Sequence, residues 1–307
     1  MLRGMAARPR VAIVGAGNLG AAVAVSLLRA GYIIEAVIAR SHGTSLRKAR
    51  SLAKQVGARA LIEGRVGRPV GVPVLRADLT WFCVPDAEIA RAARALAGKM
   101  EWKGGVALHS SGALTSDELA ALRGRGAFVA SAHPLMTFVR GSRTLFPGVL
   151  RGVPYALEGD AAAVRMARRV IEDMGGHSYL IRKDNKAAYH AWGTFASPLL
   201  TALLATAEQV AAVAGVSRRE AKRRMIPILQ RTLANYAAFG AARGFSGPIV
   251  RGDVDTVKRH LRVLRKVPAA GDVYLSLAGA ALAYLPGKNK RALMRELRLA
   301  RRKRRGE

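Results

Sequence analysis

The sequence is short of cysteine, of acidic residues and of aromatics, and each shortage closes off a class of protein. A single cysteine, Cys83, excludes an internal disulfide and fits a reducing, cytoplasmic setting. The six histidines are scattered, with no HExxH and no Cys/His pair, so no metal site is expected. No GxSxG turn surrounds any serine, which leaves a hydrolase without its nucleophile. Aromatics make up 6% of the chain and show no RNA-recognition pattern. Long apolar runs are also scarce. Residues 191–207 lack charge, but the stretch is rich in Ala and Thr, contains Pro198 and falls just short of a membrane span. The start, MLRGMAARPR before an apolar run, resembles a signal peptide. Three glycines interrupt that run, and its pattern continues as an amphipathic helix, so a soluble protein with no membrane partner is expected.

Positive charge is abundant. Lys and Arg number 51 against 20 Asp and Glu, for a net charge of +31 and a pI near 11.6. Half the residues are hydrophobic, which excludes disorder over the whole chain. Between Lys288 and Glu307 there are ten basic residues and two acidic ones, and a second cluster holds Arg218, Arg219, Lys222, Arg223 and Arg224. The pattern reads as a solvated basic face and a frayed tail, with nonspecific polyanion binding by the tail left open.

A chain of 307 residues suggests two domains. The first half alternates short β-rich runs with Ala/Leu-rich helical stretches. Strands are expected at 11–14, 33–38, 72–74, 79–84, 106–109, 128–133, 153–158 and 178–181, with helices between them. Such alternation predicts an α/β domain, a doubly wound, mostly parallel sheet of Rossmann type with helices on both faces. After residue 182 no strong strand remains. One long helix is expected from Asp184 to about Ala214, apolar nearly all round through Trp192, Phe195, Leu199, Leu203 and Val210, and therefore buried by neighbours or by another subunit. Further helices are expected at 218–239, 254–264 and 273–284. The division is thus 8–183 for the sheet domain, 184–299 for an all-α domain and 300–307 for a basic tail.

The chemistry begins at Gly15-Ala-Gly17-Asn18-Leu19-Gly20, a GxGxxG between a strand and a helix. The first glycine allows the tight turn and the second lets backbone approach a pyrophosphate. The third lets helix pack on strand, and the helix N-terminus attracts phosphate. At the end of the next strand an NAD site usually has Asp or Glu; this chain has Arg40 and Ser41, which favour the 2′-phosphate of NADP(H). Three further strands end in polar or proline turns, where ligands of open α/β sheets bind. They carry Val84-Pro85, His109-Ser110 and His133-Pro134. Val84 and Pro85 are candidates beside the cofactor, and His109, Ser110 and His133 beside a substrate. His109 reads equally as a proton donor or a turn-capping residue, and Cys83 as a buried strand residue. Lys186 and His190 lie four apart at the start of the long helix, on one face, and either can supply a proton. Tyr189 and Ser197 are weaker candidates. Arg251, in a Gly/Pro-rich turn capped by Asp253, can clamp a carboxylate or phosphate or simply belong to a rigid connection.

Five separated segments carry a resemblance: GAGNLG, LHSSGAL, HPLMTF, DNKAAYHAWGTFASPL and GPIVRGDVDTVKRHL. Over roughly residues 9 to 265 the chain resembles the Rossmann-like proteins with a C-terminal domain of unknown function 2520. These are similar to F420-dependent NADP oxidoreductases, pyrroline-5-carboxylate reductase and the 6-phosphogluconate dehydrogenase superfamily. The resemblance implies an NADP-binding domain, an all-helical domain through which dimers form, and a catalytic Lys with Asn or His one turn on, met here by Lys186 and His190. It also implies a small keto-acid substrate, through a link to ketopantoate reductase activity. The expected function is hydride transfer from NADPH to a small keto or imino acid by a homodimer. Rival readings are a noncatalytic NADP(H)-sensing regulator and a polyanion-binding protein on the same scaffold.

Overall fold

A computed structural model describes residues 8–40, 43–66, 75, 77–139 and 148–305. It divides into two compact units, Met1–Thr194 and Phe195–Glu307. The division falls later than residue 183, because the first turns of the helix that follows pack with the sheet.

The first unit runs β1 (Arg10–Val14), α1 (Asn18–Arg29), β2 (Ile33–Ala39), α2 (Thr44–Val56), β3 (Arg59–Ile62), β4 (Leu79–Phe82) and α3 (Ile89–Leu96). It continues with β5 (Val106–His109), α4 (Ala120–Arg123), β6 (Phe128–Pro134), β7 (Pro154–Gly159), α5 (Ala161–Asp173), β8 (His177–Leu180) and α6 (Lys186–Ala196), whose end enters the second unit. The eight strands form one sheet in the order β3-β2-β1-β4-β5-β6-β7-β8. All pairs are parallel except β6 with β7. Strand order reverses between β1 and β4, which opens a crevice at their carboxyl ends. Successive strand residues point to opposite faces. Val11 and Ile13 therefore join α1, α2 and α5 in one core, whereas Ala12 and Val14 join α3 and α4 in the other.

Two details differ from the sequence reading. Strand β3, residues RALI, is half-buried at the sheet's edge; Arg59 interrupts its apolar pattern, so alternation alone passes it over. The expected strand at 72–74 lies outside the described residues.

The second unit holds α7 (Pro198–Val213), α8 (Arg218–Gly244), α9 (Pro248–Arg251), α10 (Val254–Val263), α11 (Pro268–Tyr284) and α12 (Lys290–Arg305). The expected single helix over 184–214 is two helices. Ser197 takes a nonhelical conformation (φ −128°, ψ −79°) before Pro198, the first residue of α7, because proline disfavours helical backbone in its predecessor. Gly240 (φ 72°) likewise kinks α8. By length and composition the run from Lys183 to Val213 is apolar enough to cross a membrane. Burial of the long helix, expected from its apolar circumference, does not occur within one chain. Helix α7 has no buried residue, and Trp192, Phe195 and Leu199 are exposed. The core of this unit is small: Val257 of α10, Leu275, Ala278 and Leu282 of α11, and Leu293 and Leu297 of α12. Residues 300–305, expected as a frayed tail, continue helix α12, which is anchored by those two leucines.

Candidate active site

The turn from β1 into α1 is built around three glycines with separate jobs. Gly15 has φ +102°, and a Cβ there would lie 2.6 Å from the Cys83 carbonyl oxygen. A Cβ on Gly20 would lie 2.0 Å from the Gly15 oxygen, so helix and turn touch through bare backbone. Gly17 differs: nothing lies within 4 Å of a Cβ built there. The protein itself does not require glycine at 17, and the space in front of it is open. Helix α1 starts behind that space with no side-chain cap and no acidic residue in its first turn. Its free N–H groups and positive dipole end suit a phosphate anion. The Asn18 amide donates to the Val139 carbonyl at 3.0 Å, and Leu19 packs on the core behind. These residues fit a dinucleotide's pyrophosphate.

Arg40 follows β2. Its guanidinium is 2.8 Å from Glu88. Glu88 also takes Arg91 at 2.6 Å, and Arg91 forks onto the buried Glu63 at 2.9 and 3.2 Å. The two arginines hold the Glu88 carboxyl below its ordinary value, Arg91 most strongly. Sequence reading missed this chain because its members come from three separate segments, after β2, after β3 and around the start of α3. Ser41 lies outside the described residues. Pro85 precedes the turn that carries Asp86 and Glu88, and Val84 stands against Gly15.

A second cluster forms where β5, β6, β7 and α6 meet. His109 is fully buried. Its Nδ1 accepts from the Ser111 N–H at 3.1 Å and its Nε2 meets the Thr115 carbonyl at 2.9 Å. Desolvation lowers its pKa to about 4. Both ring nitrogens are thus spent on its own loop, and of its two readings the turn-capping one matches this geometry. Ser110 accepts from the Trp81 indole at 2.8 Å. Ser111 donates to Asp86 at 2.8 Å and accepts from the Ala113 and Leu114 N–H groups, which joins the β4 and β5 loops.

Lys186, the first residue of α6, is 1% exposed. Its ammonium donates to the Ser111 carbonyl at 2.9 Å and to the Ser131 hydroxyl, and lies 3.9 Å from Glu158. Glu158 accepts from the Ser116 N–H and hydroxyl at 2.7 and 2.9 Å. Burial lowers the Lys186 pKa to about 8, against the opposing pull of Glu158 and Asp86. Lys186 is therefore sealed from solvent, and it holds the underside of the Ser111–Gly112 turn.

Above that turn stand His133, Tyr189 and His190. The His133 Nδ1 is 2.8 Å from the Tyr189 hydroxyl, and the His133 and His190 rings lie 6.3 Å apart. A Cβ on Gly112 would come within 2.8 Å of both His133 Nε2 and His190 Cδ2, so glycine lets both rings close over the turn. Desolvation first, then the Lys186 and His190 charges, lowers the His133 pKa to about 4. Burial raises that of Tyr189. His190 is exposed. Of the residues expected to act together, the structure joins Lys186, His190, His133, His109 and Ser110 around one turn. It brings in Tyr189, one of the weaker candidates, and adds Ser131 and Glu158, which sit on strands where sequence gives no cue beyond burial. Arg251 stands in the second unit, in the short helix α9, and Asp253 caps α10 by accepting from the Thr256 N–H at 3.0 Å. No cluster of three or more His, Cys, Asp or Glu residues able to hold a metal occurs among the described residues.

The fold is shared with solved structures. One is a candidate NADP oxidoreductase of Bacteroides fragilis, 19% identical over 89% of this chain and 97% of that one, with a TM-score of 0.67. An imine reductase of a Pseudomonas species is 22% identical over 90% and 94% of the two chains, with a TM-score of 0.62. A reductive aminase of Aspergillus terreus, in complex with NADPH and ethyl levulinate, is 19% identical over 89% and 92%, with a TM-score of 0.57. At such identities the likeness is one of fold. No curated protein matches the chain. Residues 4–134 match the Rossmann-like domain and residues 153–281 the domain of unknown function DUF2520. Together the two matches span most of the sequence, and the chain belongs to the Rossmann-like proteins that carry the DUF2520 domain.

Proposed function

We propose that the protein is an NADP(H)-dependent oxidoreductase that reduces a small carboxylated ketone or imine. The observation that carries this reading is the pairing, in one unit, of an open uncapped helix N-terminus at Gly17 with a proton-bearing cluster at the ends of β5 and β6. Named neighbours of the fold that reduce imines or bind NADPH support it.

Gly15, Gly17, Asn18, Leu19 and Gly20 hold the pyrophosphate, and Arg40 with Ser41 takes the 2′-phosphate. Val84 and Pro85 line the cofactor's path. When bound, the reduced nicotinamide supplies a hydride to a C=O or C=N carbon. The chain's own task is to deliver a proton to the heteroatom. His190, exposed beside the Gly112 turn, is the donor. Tyr189, kept protonated by burial, donates to His133 Nδ1; the neutral His133 then presents an Nε2–H across the turn to orient the substrate. Lys186 is a positioning residue. Its buried charge clamps the Ser111 carbonyl and helps keep His133 neutral.

The test is NADPH and NADH titration with single-turnover reduction of small keto and imino acids. His190→Ala should keep NADPH affinity and lose about 10²–10⁴-fold in rate. Arg40→Ala should weaken NADPH and leave NADH unchanged. Equal affinity for the two cofactors would overturn the NADP assignment, and an unchanged rate in His190→Ala would remove that residue from the chemistry.

We also propose that a second copy of the chain covers the second unit. Helix α7 has no buried residue and α8 only Ala221, while Leu199, Ile228, Leu233, Tyr236 and Phe239 are exposed. A largely apolar cavity of about 550 Å³ opens between α7 and α11. Apolar exposure on this scale marks an association surface.

A further inference from the structure

Helix α12 spends its apolar side on the second unit's core. Leu293 and Leu297 are 1% and 3% exposed against Val257, Leu275 and Leu282. What faces outward is almost wholly basic. Arg291, Arg295, Arg298 and Arg302 are exposed and follow at intervals of four, three and four residues, which puts them on one helix face. On a flank of α12, Lys303 joins Lys258, Arg262 and Arg265 around a groove of about 470 Å³ between α10 and α12. The acidic residues here are outnumbered and engaged. Glu296 lies 3.8 Å from Lys258 and 3.9 Å from Arg295, and Asp272 lies 3.2 Å from Arg304.

We propose that this face, the outward stripe of α12 with the adjoining α10 groove, binds the phosphate backbone of nucleic acid without reading its sequence. The stripe from Arg291 to Arg302 is about 16 Å long at 1.5 Å per residue. A duplex of that length carries roughly nine phosphates, so each guanidinium has a partner within reach. Arginine dominates the stripe, and its planar fork grips phosphate oxygens in pairs. A lipid surface fits poorly. A helix lying in a membrane interface needs a free apolar face, and here that face is consumed by the core; Leu299 is the one large hydrophobic residue exposed among those described on α12. A protein partner fits poorly as well, since the described residues of α10 and α12 expose no aromatic anchor. This surface lies in a different unit from the proposed cofactor turn and does not depend on that reading.

The experiment is fluorescence anisotropy with short labelled DNA duplexes of two unrelated sequences, on the full chain, from about 50 to 200 mM KCl. The stripe variant carries Gln at Arg291, Arg295, Arg298 and Arg302. The control carries Gln at Arg218, Arg219, Lys222 and Arg231 of α8 and removes the same charge elsewhere. Circular dichroism melts check that both fold, and outward-facing Arg→Gln changes are mild in a helix. Both duplexes should bind alike. The stripe variant should lose at least about tenfold in affinity and about three units of salt slope, while the control keeps most of both. Equal losses in the two variants would reduce the effect to net charge and overturn the site. So would failure of the wild type to bind either duplex in the lower half of the salt range. Co-sedimentation with phosphatidylcholine–phosphatidylglycerol vesicles gives the remaining arm: vesicle binding abolished by the stripe variant, with duplex binding intact, would assign the face to lipid and overturn the proposal.

Discussion

The two units handle apolar surface and charge in opposite ways. In the first, large side chains are fully buried on both sides of the sheet, Trp81, Tyr32 and Tyr155 on one and Phe82 on the other, and even a lysine and a glutamate are sealed inside with hydrogen-bond partners. In the second, long helices leave Ile228, Leu233 and Tyr284 exposed, and charge gathers on the outside of α12. A sheet with helices on both faces closes its core with one chain, so it can support buried polar groups that hold a site in shape. A set of helices around a core as small as that of α10–α12 cannot cover its own apolar surface. The difference teaches why the proposed chemistry is placed in the self-sufficient unit and the proposed association in the incomplete one.

The sharpest way to break this contrast is Lys186→Ala. It should destabilise the first unit by about 3 kcal/mol, through a cavity and the loss of the buried ammonium's hydrogen bonds to Ser111 and Ser131. Urea unfolding reads it, and a loss comparable to that of a surface lysine would mean the buried cluster is not structural. The pH dependence has a definite sign. The folded pKa, about 8, lies below the unfolded value of 10.5, so the unfolded chain binds the extra proton between those values. This group's contribution to stability should therefore rise with pH across that window. The turnover rate should fall as pH rises through about 8, where the folded clamp on Ser111 loses its charge. Lys186→Ala should erase both trends.

The next test addresses the incomplete unit. Leu233→Ser with Phe239→Ser should weaken dimer formation at least about tenfold, seen by light scattering across a dilution series. Urea unfolding of the first unit should stay where it was. A wild-type protein that remains monomeric at high concentration would refute the covering role of a second copy.

A smaller effect separates fold from function within one turn. Gly17→Ala should leave the melting temperature unchanged, since its Cβ meets nothing, yet weaken NADPH by about tenfold, ~1.4 kcal/mol. Gly15→Ala should cost stability, because φ is positive and the Cys83 carbonyl is in the way. If Gly17→Ala binds NADPH normally, the open space in front of α1 is not where the pyrophosphate lies.

Local patterns are enough to derive most of the architecture. Short β-rich apolar runs alternating with Ala/Leu-rich helices specify a parallel sheet, and GAGNLG between β1 and α1 locates the phosphate-binding turn, because both depend on neighbours in sequence. The i, i+4 spacing of Lys186 and His190 places them on one helix face for the same reason. Tertiary structure alone decides what those residues meet. Nothing local says that Lys186 ends under the Ser111 carbonyl, that Glu158 from β7 sits beside it, or that Arg40 belongs to a chain reaching Glu63. Those contacts are set by strand order and by sidedness across the sheet. The break at Ser197–Pro198 and the anchoring of α12 divide in the same manner. Proline's restriction on its predecessor is written in the sequence. The folding of a basic tail into a helix depends on Leu293 and Leu297 finding an apolar surface on α10 and α11, which only the assembled helices provide.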